Sequence, residues 1–187
     1  MRPILDHLNN VVRPSLRNFT AADRIFVAAQ TAATGVGEAR QAVMLAARQA
    51  AVELHHFSDF VLNNPAPSVA FPDLGAVRTA VQSHLIFLRE PKAPYVDDVA
   101  LLRDVADAFK HHKLGRPNAT VDGSDAIIMT GSGSGKLRWG EGKWGGAEQV
   151  IVERKNGDQR ALSSVMQNVF DAWLTLLGQP LPPIGEF

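Results

Sequence analysis

Two stretches of the chain place imidazole and carboxylate groups at spacings that could do chemistry. Asp104, Asp107 and His111 stand at i, i+3 and i+7, so on a helix they share one face. His55 and His56 precede Asp59 by four and three residues, one helical turn. Two helices that each offer imidazole and carboxylate can build a metal site inside a bundle, and this donor set suits zinc, iron or manganese. His55, His56, Asp59 and Asp104 are the candidate ligands. The same pattern also describes a solvated helix face, because Asp59 falls roughly opposite Leu54. The glutamate spacing of di-iron bundles is absent, and no cofactor is expected.

Arg103, Asp107 and His111 form a candidate catalytic set. A histidine can take the proton of a ribose hydroxyl while an arginine stabilises the charge of a phosphorane. The competing reading is a helix end, where Lys110, His111, His112 and Lys113 suit the negative pole of the helix dipole. His84 lies between Val81 and Leu88 and reads as a residue at the margin of a core stripe. The stretch Arg103-Asp104-Val105-Ala106-Asp107-Ala108-Phe109-Lys110-His111-His112 resembles the helix of HEPN-type helical domains. Many members of that family are RNases whose motif sets arginine and histidine four to six residues apart. Here seven residues intervene between Arg103 and His111. The resemblance covers residues 20–115, and it implies a helical fold and an RNase activity. Glu53-Leu54-His55-His56-Phe57 and Phe109-Lys110-His111-His112 are also similar to uncharacterised small bacterial and phage proteins, a resemblance that implies no activity.

A third candidate is Gly131-Ser132-Gly133-Ser134-Gly135-Lys136. A phosphate-binding loop needs four residues before its Gly-Lys pair, a Ser or Thr after it, and a helix to follow. Here three residues intervene, Leu137 follows the lysine, and the next residues do not read as a helix. A turn between strands is the better reading. From Lys136 to Gly146, Lys136, Arg138 and Lys143 alternate with Trp139 and Trp144. Such a surface could stack bases and hold phosphates. It could equally cover a partner protein or a second copy of the chain. Trp139, Lys143 and Trp144 are the expected partner-binding residues.

These side chains need a scaffold, and the sequence supplies one. The chain has 187 residues, 45% hydrophobic and 20% charged, enough for a sizeable core in a single domain over residues 1–187. Nineteen basic residues balance nineteen acidic ones, which argues against a surface built throughout for nucleic acid or an anionic membrane. There is no cysteine, no secretory signal and no apolar run of membrane-spanning length, so a soluble cytoplasmic protein is expected.

Of 25 alanines, 21 lie at or before Ala119, where the chain reads as helices. Thr20 is expected to cap the first helix, after a less regular arm with two prolines. Val43, Ala47, Ala50, Leu54, Phe57 and Val61 are spaced 4, 3, 4, 3, 4, a stripe that Asn63-Asn64-Pro65 ends. Asp73 can cap a third helix carrying Leu74, Val77, Val81, Leu85 and Leu88, up to Pro91. A fourth carries Tyr95, Val99, Leu102, Ala106 and Phe109. Strands are expected at residues 126–130, 136–139, 149–154 and 158–162, with Asn156-Gly157 as a two-residue hairpin turn. A last helix over residues 163–178 packs back on the bundle. The fold expected is mainly α (α+β): an antiparallel helical bundle of about five helices over residues 20–115 and 163–178. A small antiparallel β-hairpin element over residues 125–162 precedes the C-terminal helix.

The functional expectation is a non-catalytic protein-interaction module, self-associating through the Gly/Trp segment. The competing class is a HEPN-like RNase or a metal-dependent enzyme. A protein partner or homo-oligomer is expected ahead of nucleic acid, and no membrane partner.

Overall fold

The computed structural model describes residues 1–67, 69–86, 97–129 and 149–187. Its elements are α1 (Arg2–His7), a π-helical segment (Leu8–Val12), α2 (Arg13–Ala32), α3 (Val36–Asn63), α4 (Leu74–Gln82) and α5 (Asp98–His111). These are followed by β1 (Ile127–Met129), β2 (Val150–Glu153), β3 (Gln159–Ala161) and α6 (Leu162–Leu176). The molecule is mostly helical, with a three-stranded antiparallel sheet before the last helix, in the order β1-β2-β3.

The N-terminal region corrects the first expectation. It is helical from Arg2, and no loose arm precedes Thr20. Pro14 has no N–H to donate to the turn before it, and the wider Leu8–Val12 segment lies just ahead of it. Thr20 is not a cap: its hydroxyl donates back to the Leu16 carbonyl at 3.2 Å, inside the helix. α2 ends at Ala33, which takes the left-handed conformation (φ 55°), and Gly35 (φ 65°) starts the return into α3.

α3 carries the stripe read from the sequence. Val43, Ala47, Ala50, Leu54, Phe57 and Val61 are all buried, and the helix stops at Asn63. The facing line on α2 is Leu16, Phe19, Asp23 and Phe26. Alanines on α3 leave room for the phenyl rings of α2, which is how the two helices approach closely. Trp173 of α6 meets the edge of Phe57 with ring centroids 4.7 Å apart, so α6 closes the core over α3.

Asp73 caps α4 as expected, its Oδ1 accepting from the Ala76 amide at 2.8 Å. The helix is shorter than the apolar stripe implied: it ends at Gln82, Leu85 is half-buried beyond it, and Leu88 lies outside the described residues. α5 begins at Asp98, so Tyr95 also falls outside them. The Asn156-Gly157 turn joins β2 to β3 in a different form from the two-residue turn. Only Gly157 has positive φ (84°), and its amide donates to the Arg154 carbonyl at 2.8 Å. A turn closed by one left-handed glycine is the longer hairpin form. The strand expected at residues 136–139 lies outside the described residues.

A buried ion pair fixes α5 to the sheet and to α6. Asp98 and Arg160 are 0% and 1% exposed. Arg160 Nη2 donates to Asp98 Oδ2 at 3.0 Å, and Nη1 stands 2.9 Å from Oδ1. Asn168 of α6 donates to the same Oδ2 at 2.7 Å. Burial pushes the Asp98 carboxyl up, against the opposing pull of Arg160 and Asn168. Next to this pair, Arg154 bonds Asp97.

Candidate functional site

Most of the polar residues singled out in the sequence meet on one side of α3, beside α4 and α5. Asp104 is the hub. Its side chain is fully buried and accepts from three places. Arg103 donates to Oδ1 through Nε and Nη2, each at 3.1 Å. Arg116, in the loop after α5, donates to the same oxygen at 2.8 Å. Oδ2 accepts from the Thr120 amide at 2.6 Å and from its hydroxyl at 3.0 Å. Arg116 Nη2 also reaches Asp107 Oδ2 at 2.8 Å. One carboxylate therefore folds the loop of residues 112–123 back onto α5 and sets two guanidinium groups side by side.

The base of that loop closes on glycine. Lys113 and Gly123 form an isolated bridge, and the Ser124 amide donates to the His112 carbonyl at 2.8 Å. A Cβ at Gly123 would lie 1.9 Å from that carbonyl oxygen, so no other residue fits without moving backbone. His112 itself has φ 57°, an uncommon conformation for a residue with a side chain.

α3 brings two histidines to the same side. His55 is buried, while His56 is exposed and lies 2.5 Å, through Nε2, from Lys110 Nζ of α5. The lysine ammonium can only donate, so the His56 ring nitrogen is the acceptor in that contact. The His55 and His56 rings have centroids 5.6 Å apart. Burial pushes the His55 pKa down to about 3, helped by Arg78, His56, Lys110 and Arg103. Arg78, from α4, is half-buried, and its Nε is buried with no hydrogen-bond partner. Its guanidinium is held below the ordinary range by burial first and by Arg103 next, with Asp59 and Asp107 opposing.

Among the described residues no three histidine, aspartate or glutamate side chains come together to hold a metal ion. Both oxygens of Asp104 are taken by arginine and threonine donors, and the nearest neighbours of His55 and His56 include Lys110 and two arginines, which repel a cation. His55, His56, Asp59 and Asp104 are therefore neighbours without being a ligand shell. The catalytic set is half assembled: Arg103 and Asp107 lie in the cluster, joined through Arg116 and Asp104. His111 is exposed at the end of α5, and its side chain makes no hydrogen bond or ion pair among the described residues.

Sequence reasoning missed Arg78, Arg116 and Thr120. Arg78 lies on α4 and the other two in the loop after α5, so no helical spacing links them to Arg103 or His55. Trp139, Lys143 and Trp144, the expected contact residues, lie outside the described residues.

A second feature is the outer face of the α2–α3 hairpin. α2 has its main contacts with α3 and with the π-helical segment. Ala21, Ile25, Ala28 and Ala32 recur on α2 at 4, 3, 4, and Ala42, Leu45 and Gln49 on α3 at 3, 4; all are exposed. At 100° per residue, the α3 stripe is rotated about 130° from its buried line and the α2 stripe about 170° in the same sense, so both point away from the seam between the two helices. Ile25 is 63% exposed and Leu45 68%, the two most exposed large apolar side chains among the described residues.

No helix of the described residues is long and apolar enough to cross a membrane. Comparison with protein families, with curated proteins and with solved structures finds no match to this chain.

Proposed function

We propose that the protein is a non-catalytic interaction module that associates with a second copy of itself. The observation that carries the reading is the bare outer face of the α2–α3 hairpin, with Ile25 and Leu45 standing among alanines. Large side chains on a floor of small ones match a copy of the same surface: each knob can enter an alanine-lined hollow of the partner, with four helices around one new core. Such a contact is isologous, so one two-fold axis closes it. Between Ala42 and Gln49 on α3 and between Ala21 and Ala32 on α2 the stripes carry no charged residue, and Glu38 continues the α3 line at its N-terminal end. The chain has zero formal net charge and so meets no long-range repulsion from its copy.

The test is a pair of substitutions, Ile25→Glu with Leu45→Glu. Both positions are exposed in the single chain, so the helical signal is retained while the associated form is lost in light scattering. An associated mass unchanged by the pair contradicts this surface. Trp139→Ala with Trp144→Ala tests the Gly/Trp segment in the same assay, and a fall in mass there moves the contact to that segment.

A second reading, RNase chemistry of the HEPN-like kind, is favoured by one observation: His55 and His56 of α3 share a side of the bundle with Arg103 and Asp107 of α5. Its test is cleavage of a single-stranded RNA by the metal-free protein, with loss in His56→Ala. Cleavage that His56→Ala and Arg103→Ala leave unchanged removes the reading.

A further inference from the structure

We propose that Arg78, Arg103 and Lys110, carried by α4 and α5 where these helices pack on each other and on α3, bind a tetrahedral phosphate group. The proposal is independent of self-association and of RNA cleavage. Three elements contribute: α4 gives Arg78, α5 gives Arg103 and Lys110, and the following loop gives Arg116. The carboxylates present leave donors over. Arg103 spends Nε and Nη2 on Asp104, and Arg116 spends Nη2 on Asp104 and Asp107. Nη1 of Arg103, and Nη1 and Nε of Arg116, have no protein acceptor among the described residues. Arg78 Nε is the sharper case, being a buried N–H with no hydrogen-bond partner among the described residues. A buried donor left without an acceptor is costly, so the site is poised for one.

The acceptor must be an anion, because the four cations outnumber Asp59, Asp104 and Asp107 there and His55 stays neutral. A planar carboxylate satisfies one guanidinium fork. Donors carried by three separate elements, α4, α5 and the loop after it, suit an oxyanion with more than two oxygens to share among them. Asp104 acts as a positioning residue: it holds Arg103 and Arg116 together and touches no ligand itself. Free phosphate and the end of a phosphomonoester share this chemistry.

The test is a titration of the ¹⁵N-labelled full chain with inorganic phosphate at constant ionic strength, followed at the arginine Nε–H signals. Arg78→Lys, which keeps the charge, assigns the Arg78 signal by its disappearance. The expected result is a saturable shift of that signal, with half-saturation on the order of millimolar. Arg103→Met is expected to weaken it at least tenfold. Acetate at the same ionic strength is expected to leave the signal in place. A phosphate response that is linear and unsaturated, or an equal response to acetate, overturns the proposal. Glycerol phosphate in place of inorganic phosphate then separates the two sources: tighter binding identifies a phosphomonoester, and equal or weaker binding identifies free phosphate.

Discussion

His55 shows how far a single residue departs from what its sequence position suggests. As one of two adjacent histidines near Asp59 it reads as a ligand. In the fold it is a buried neutral ring, facing arginines and a lysine, with its pKa pushed down to about 3. The consequence for stability has a definite sign. In the unfolded chain the ring protonates near pH 6.5, while in the fold it stays neutral to about pH 3. Between those values the unfolded state binds more protons, so stability falls as pH drops, by up to about 1.4 kcal/mol per pH unit from this residue. His55→Gln is expected to remove that part of the slope when urea midpoints are compared from pH 6.5 to pH 4. An unchanged slope would place the ring in solvent. Asp98 is the opposite kind of residue, a buried charge with a buried partner. Removing it in Asp98→Ala takes the buried carboxylate away from the buried Arg160 guanidinium, and a loss of about 3–5 kcal/mol is expected in urea unfolding. A loss below about 1 kcal/mol would mean that water reaches the arginine.

At the scale of elements, the parts legible in the sequence were those governed by neighbours along the chain. The α3 stripe, its stop at Asn63-Asn64-Pro65 and the Asp73 cap all follow from local spacing and backbone chemistry. The N-terminal helix was hidden because Pro3 and Pro14 read as breakers, whereas both sit in the first turn of a helix, where no N–H is required. Thr20 misled for a related reason: a hydroxyl that can cap a helix can also bond back inside one. The Asp104 hub was only partly legible. Asp104 and Arg103 were visible, but Arg116 and Thr120 join them through a loop whose path is set by Gly123 and His112. That loop carries its own prediction. Gly123→Ala puts a methyl group against the His112 carbonyl and is expected to cost roughly 1–3 kcal/mol. It should also release the Thr120 amide to hydrogen exchange. Full protection of that amide in the variant would contradict the close approach seen at Gly123.

For the whole molecule, the division of labour runs along the bundle. α6 and the sheet close one end of the core around Trp173 and the Asp98–Arg160 pair, while the α2–α3 hairpin reaches away with one face uncovered. That uncovered face was the least legible feature. Its stripes are mostly alanine, the residue least able to signal burial or exposure by type, and the exposure of Ile25 and Leu45 emerges only from the fold of the described residues. Self-association accounts for that exposure with no further partner. The most direct measurement is the solution mass of the unaltered protein by light scattering across a range of concentrations. The account predicts a mass tending to twice 20.2 kDa as concentration rises. A mass of 20.2 kDa at every concentration up to the millimolar range would contradict it.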